Sequence, residues 1–71
     1  MERVKELEEG LIGLMYALGI SKVRMMLSLA LIRAHHIQYE LLEWFVDYYE
    51  REGTLTTQAF MSKLNELTEV N

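Results

Sequence analysis

Four side chains that can bind a metal ion lie four, three and four residues apart: His36, Glu40, Glu43 and Asp47. On a helix this spacing places them on one face. Imidazole and carboxylate groups bind zinc, manganese or iron. Helical di-metal sites, however, use Glu-x-x-His pairs from facing helices, and the order is reversed here. We therefore interpret the row as a solvated acidic face and predict neither a metal nor another cofactor.

The residues of this chain do not suggest a nucleophilic catalytic site. The chain has no cysteine, which excludes a thiolate nucleophile, a thiolate metal site and a disulfide. His35 and His36 are adjacent, so on a helix they point about 100° apart and cannot serve one small site. No serine, histidine and acid stand at spacings that suggest a triad. We predict that the chain is not an enzyme.

Charge is distributed unevenly along the chain. No acidic residue lies between Glu9 and Glu40, and the fixed charges in that window are Lys22, Arg24 and Arg33. The net charge is −2 over 1–9, +3 over 10–39 and −5 over 40–71, which gives −4 in total. A weakly basic, mostly apolar centre therefore lies between acidic ends.

The segment Leu18-Gly19-Ile20-Ser21-Lys22 loosely resembles the turn and the start of the recognition helix in helix-turn-helix regulators. The resemblance implies a small dimeric regulator that touches nucleic acid through Lys22, Arg24 and Arg33. Met15 stands where that family carries a small residue. Three cations are also few for a DNA-binding face, so this function is the less favoured alternative.

Length and composition indicate a single small domain over 1–71 that needs help to fold. At 51% hydrophobic residues the chain is too apolar to be disordered. A domain of this size buries only about 60% of its unfolded surface, and small scaffolds usually need a staple. Without cysteines, the remaining staple is another chain. The missing cysteines also fit a cytoplasmic location.

A membrane-spanning segment is not expected. The most apolar stretch, 11–32, contains Lys22 and Arg24 near its middle. Two central cations cost roughly 5–7 kcal/mol on insertion scales. We therefore predict no membrane partner.

Helical periodicity covers nearly the whole chain and predicts an all-α fold. The first helix should run from about Glu2 to Leu18, ended by Gly19. Ser21 is a suitable N-cap for the next helix, so the first two helices should form a hairpin or corner. A short C-terminal helix is expected over 57–69, with Thr56 as its N-cap.

The segment 22–52 is harder to interpret. Eight residues continue a four-and-three alternation that predicts one packing line: Val23, Leu27, Ala30, Ala34, Ile37, Leu41, Trp44 and Tyr48. A single helix of this length would measure roughly 46 Å, against about 30 Å for a compact globule of 71 residues. With no proline or glycine to force a kink, we favour one long or mildly bent helix that a second chain covers. The alternative is four helices, with a break near Ala34–His36.

Apolar side chains surround the second half of this segment too widely for one packing face. The residues predicted to form a partner-binding or dimer interface are Leu41, Leu42, Trp44, Phe45, Tyr48 and Tyr49. Aromatic residues are enriched in interface cores. We therefore expect a homodimeric helical bundle related by a two-fold axis, acting as a small acidic protein–protein interaction module, either an adaptor or an assembly subunit. Another protein is a further expected partner.

Overall fold

The computed structural model describes residues 2–69 and contains four helices, α1 (Glu2–Ala17), α2 (Lys22–His35), α3 (Gln38–Glu52) and α4 (Thr57–Thr68). No strand occurs within these residues. The predicted all-α class is confirmed. The chain has a radius of gyration of 11.5 Å and extents of 30 × 30 × 22 Å, as expected for a compact unit of this length.

The turn after α1 forms as the sequence indicates. Gly19 adopts a left-handed conformation with φ 78°. Its N–H donates to the carbonyl of Tyr16, and the N–H of Ile20 donates to the carbonyl of Met15. This is a Schellman motif, in which Ile20 packs back toward Met15, and both side chains are buried. Ser21 then caps α2 by accepting a hydrogen bond from the N–H of Arg24 at 3.3 Å.

The prediction of one long helix over 22–52 is wrong, and the alternative of four helices is correct. α2 ends at His35, and His36 takes the left-handed conformation with φ 54°. The N–H groups of His36 and Ile37 donate to the carbonyls of Arg33 and Ile32, respectively. This is a second Schellman motif without glycine, again with both apolar partners, Ile32 and Ile37, buried.

The predicted packing line of α2 is also wrong. Val23 and Leu27 are exposed, and so are Ala30 and Ala34. The side chains that α2 buries are instead Ser28 and Ile32, with Met25 packed beside them against the core. The helix is therefore turned about half a revolution from the register that the alternation suggested.

α4 completes the core. Thr56 accepts a hydrogen bond from the N–H of Ala59 at 3.1 Å, which confirms the predicted N-cap. α1 packs mainly against α3, and α2 packs against both α4 and α1. The buried core consists of Leu11, Met15, Ile20, Ile32, Ile37, Leu41, Phe60 and Leu64. Residues from all four helices and from both Schellman turns therefore contribute to one cluster.

Candidate interaction surfaces

One face of α2 exposes a continuous apolar surface, which we call the α2 stripe. Its large side chains are 70%, 65%, 64% and 42% exposed at Val23, Met26, Leu27 and Leu31. Ala30 and Ala34 lie between them and are also exposed. At 100° per residue these positions share one side of the helix. Single exposed apolar residues are normal, but a contiguous patch indicates a binding surface.

The α2 stripe lies opposite the buried side of the helix. Met25, Ser28 and Ile32 are centred roughly 180° away from it around the helix axis. α2 thus has two apolar faces, of which residues 2–69 cover only one. Sequence reasoning missed the stripe as an interface because the same residues satisfied a core alternation.

The cations predicted for nucleic-acid contact divide into two groups. Lys22 and Arg24 are exposed and lie on the two sides of the α2 stripe at its N-terminal end. Arg33 instead forms a bidentate ion pair with Glu8 of α1, with Nε to Oε2 at 3.0 Å and Nη2 to Oε1 at 2.9 Å. Arg33 is therefore already engaged by a carboxylate of the same chain.

Glu8 also accepts a hydrogen bond from the buried side chain of Gln38, with Nε2 to Oε2 at 3.3 Å. The hydrogen bond from Arg33, followed by that from Gln38, lowers the pKa of Glu8 below its ordinary value of 4.5, and partial desolvation opposes this only in part. The hydrogen bond to Glu8 raises the pKa of Arg33. The three side chains link α1 to the α2–α3 turn.

A second apolar surface is the groove between α1 and α3, with a volume of about 330 Å³. Leu7 lines it from α1, and Tyr39, Leu42 and Val46 line it from α3. Glu43 and Asp47 of α3 also line it; both residues are exposed, and we call them the acidic rim of the groove. We call this surface the α1–α3 groove. Leu42 lies against Gly10, since a Cβ at that glycine would be 3.4 Å from Leu42 Cδ1.

The predicted anchors on α3 are only partly accessible. Leu41 is fully buried in the core of the chain, and Leu42 and Trp44 pack against that core. Trp44 and Tyr48 have ring centroids 5.1 Å apart. The ring centroids of Phe45 and Tyr49 are 6.0 Å apart, and Tyr49 is 52% exposed. Of this set, Tyr49 offers the most surface to a partner, and the aromatic interface remains a prediction.

The row of potential metal ligands does not form a site within the described chain. His36 belongs to the turn, whereas Glu40, Glu43 and Asp47 belong to α3. Residues 2–69 contain no group of three or more histidine or acidic side chains arranged to hold a metal ion. The carboxylates of Glu43 and Asp47 line the α1–α3 groove instead.

Comparison with known proteins adds no relative: no family model, no curated protein and no solved structure matches the chain. Among the helices of residues 2–69, none combines the length and apolarity needed to cross a membrane. Functional inference therefore depends on the two surfaces described above.

Proposed function

We propose that this protein is a self-associating protein–protein interaction module whose α2 stripe is the association surface. The observation that carries the proposal is the exposure of Val23, Met26, Leu27 and Leu31 along one side of a single helix. Together these side chains present roughly 400–500 Å² of apolar area, as large as the largest patch on a typical monomer. No segment of residues 2–69 covers them.

The proposed self-association surface lies on α2, whereas the sequence predicted it on α3. A protruding helix of roughly 46 Å was one reason to expect a second chain, and the break at His36 removes that helix. The need for a partner now comes from the exposed apolar side of α2. The aromatic side chains of α3, Tyr49 foremost, remain proposed contacts for another protein.

The test is the mass in solution over about 1–500 µM protein, a range that brackets micromolar association. Sedimentation should show the 8.4 kDa chain giving way to a species of twice that mass. Leu27→Glu preserves helix propensity but places a charge in the centre of the α2 stripe. This variant should stay monomeric throughout.

Tyr16→Glu is the matched control. Tyr16 is 78% exposed and lies on α1, outside both the α2 stripe and the α1–α3 groove. Its substitution changes the net charge as Leu27→Glu does and should leave self-association intact. A wild-type chain that remains an 8.4 kDa species at the highest concentration would overturn the proposed function.

A further inference from the structure

We infer that the α1–α3 groove of a second copy receives the α2 stripe, so that self-association joins two different surfaces. This inference rests on the proposed function, because it names the surface that covers the stripe. Both surfaces belong to the same chain, and each is apolar. They differ in the sign of the charge at their edges.

The charges at the two surfaces are complementary. α2 contains no acidic residue, and Lys22 and Arg24 flank the N-terminal half of its stripe. The rim of the groove carries Glu43 and Asp47. Among the side chains of residues 3–69 the ion pairs are Arg33–Glu8 and Lys63–Glu66, so within this range neither the two cations nor the two carboxylates are paired. Opposite charges across an interface give specificity and register.

Packing α2 against α2 of a second copy brings together two stripes whose edges carry the same sign of charge. An antiparallel pair places Lys22 and Arg24 beside the partner's C-terminal turn of α2, a helix that contains no acidic residue and whose Arg33 is already paired with Glu8. A parallel pair places each cation beside its own equivalent. Like charges placed together disfavour a complex, whereas the groove offers carboxylates.

Area favours a closed pair over an open chain. The stripe of one copy presents roughly 400–500 Å², which is less than the roughly 800 Å² that each partner of a standard interface buries. In a reciprocal pair each copy buries its stripe and its groove together, and so comes closer to that size. Contacts between two different surfaces that fail to close would instead produce filaments. We therefore expect a reciprocal dimer.

Charge exchange tests the inference directly. The first variant, Lys22→Glu with Arg24→Glu, makes the edges of the stripe acidic. The second, Glu43→Lys with Asp47→Lys, makes the rim of the groove basic. Each variant alone opposes like charges and should sediment as an 8.4 kDa monomer. An equimolar mixture restores opposite charges at both contacts and should form a 1:1 heterodimer.

The control for net charge is Glu52→Lys with Glu69→Lys, two exposed acids that do not line the groove. It changes the net charge as the rim variant does and should still dimerise. Circular dichroism checks that every variant stays helical. If an unfolded variant occurs, Tyr39→Lys replaces the rim variant, because it introduces a cation among the groove side chains that receive the stripe; it should be monomeric alone and should dimerise with the acidic-edged stripe variant.

The outcomes separate this inference from the proposed function. If the rim variant dimerises like the wild type while Leu27→Glu is monomeric, the stripe associates but does not enter the groove, and this inference is overturned. Two monomeric variants that fail to combine on mixing also overturn it. A monomeric wild type overturns the proposed function itself.

Discussion

The guanidinium of Arg33 binds both carboxylate oxygens of Glu8 across 25 residues of chain, at 2.9 and 3.0 Å. Arg33 is largely exposed, whereas the Glu8 side chain is mostly covered and also accepts a hydrogen bond from buried Gln38. Arg33 and Gln38, which lie on either side of the turn between α2 and α3, thus both bind Glu8 of α1. Bidentate pairs of this kind specify geometry as well as adding energy, and this one holds α1 against the last turn of α2, while Gln38 links the same acid to the start of α3.

Stability should therefore decrease in acid through Glu8. The pKa of Glu8 is lowered in the folded chain from its ordinary value of 4.5. At pH values between the lowered pKa and 4.5, the unfolded chain therefore binds a proton at Glu8 that the folded chain does not. The contribution of Glu8 to the free energy of unfolding is fully present above about pH 4.5 and is lost as the pH falls through the lowered pKa. Urea unfolding at a series of pH values should show this decline.

Glu8→Gln should flatten the pH dependence of unfolding below about pH 4.5. Arg33→Gln should flatten it partly, because it removes the main cause of the lowered pKa. The double variant should show no further change beyond Glu8→Gln. A Glu8→Gln chain with the wild-type pH profile would contradict this role for the carboxylate.

His36 and its identical neighbour His35 should respond oppositely to glycine. His36 has φ 54°, a conformation that costs an L-residue roughly 1–2 kcal/mol and that glycine adopts freely. Allowing for the greater unfolded-state entropy of glycine, His36→Gly should raise the free energy of unfolding by about 0.5–1 kcal/mol. His35→Gly, in the last turn of α2, should lower it by up to about 1 kcal/mol.

Urea midpoints at constant m-value measure both histidine variants. The same sign of change for the two would mean that the helix break does not lie at His36. His36→Asn should fall between the wild type and His36→Gly, because asparagine tolerates the left-handed region better than histidine does.

Sequence reasoning located the elements whose ends are set by local chemistry. Gly19 ends α1, and Ser21 and Thr56 cap α2 and α4 by side-chain hydrogen bonds. These features involve residues a few positions apart, so a single sequence contains them. The predicted bounds of α1 and α4 accordingly differ from the observed ones by one residue each.

The break near Ala34–His36 was predicted only as the alternative, because no glycine or proline marks it. A signal that would have favoured it is the spacing of the apolar pair. Ile32 and Ile37 are five residues apart and end α2 in the same way that Met15 and Ile20 end α1. In the second turn, tertiary burial of both isoleucines overrides the conformational preference of the residue between them.

The orientation of α2 could not be predicted for a different reason. Its apolar residues form two opposite faces, and the face with the more regular alternation is the exposed one. Ser28, a polar residue, lies on the buried face. The choice between the faces depends on contacts with α4 and α1, whose residues are distant from α2 in sequence.

Nucleic-acid binding should be weak or absent if the chain is an interaction module. All three cations of the central window are exposed, but Arg33 is paired with Glu8, so Lys22 and Arg24 are the two that remain for a phosphate contact. Fluorescence anisotropy with random duplex DNA at about 50 and 200 mM salt measures this. Tight binding at the lower salt that falls steeply at the higher would favour the helix-turn-helix-like regulator instead. Lys22→Gln with Arg24→Gln should then abolish it.

The orientation of α2 can be tested by two alanine substitutions on the same helix. Ile32 is fully buried in the core, so Ile32→Ala should lower the free energy of unfolding by about 2–5 kcal/mol. Leu27 is mostly exposed. In dilute, monomeric protein, Leu27→Ala should therefore change the free energy of unfolding by no more than about 0.5 kcal/mol.

At protein concentrations where the chain associates, Leu27→Ala should become destabilising, whereas the loss of stability caused by Ile32→Ala should stay the same. Leu27→Ala should then lower the urea midpoint relative to the wild type, because association stabilises the folded state by mass action and this variant weakens association. The effect of Ile32→Ala should be similar at both concentrations, since that side chain acts within one chain. A large loss for Leu27→Ala in dilute protein would place the stripe inside the fold, as the original alternation suggested, and remove the surface on which self-association depends.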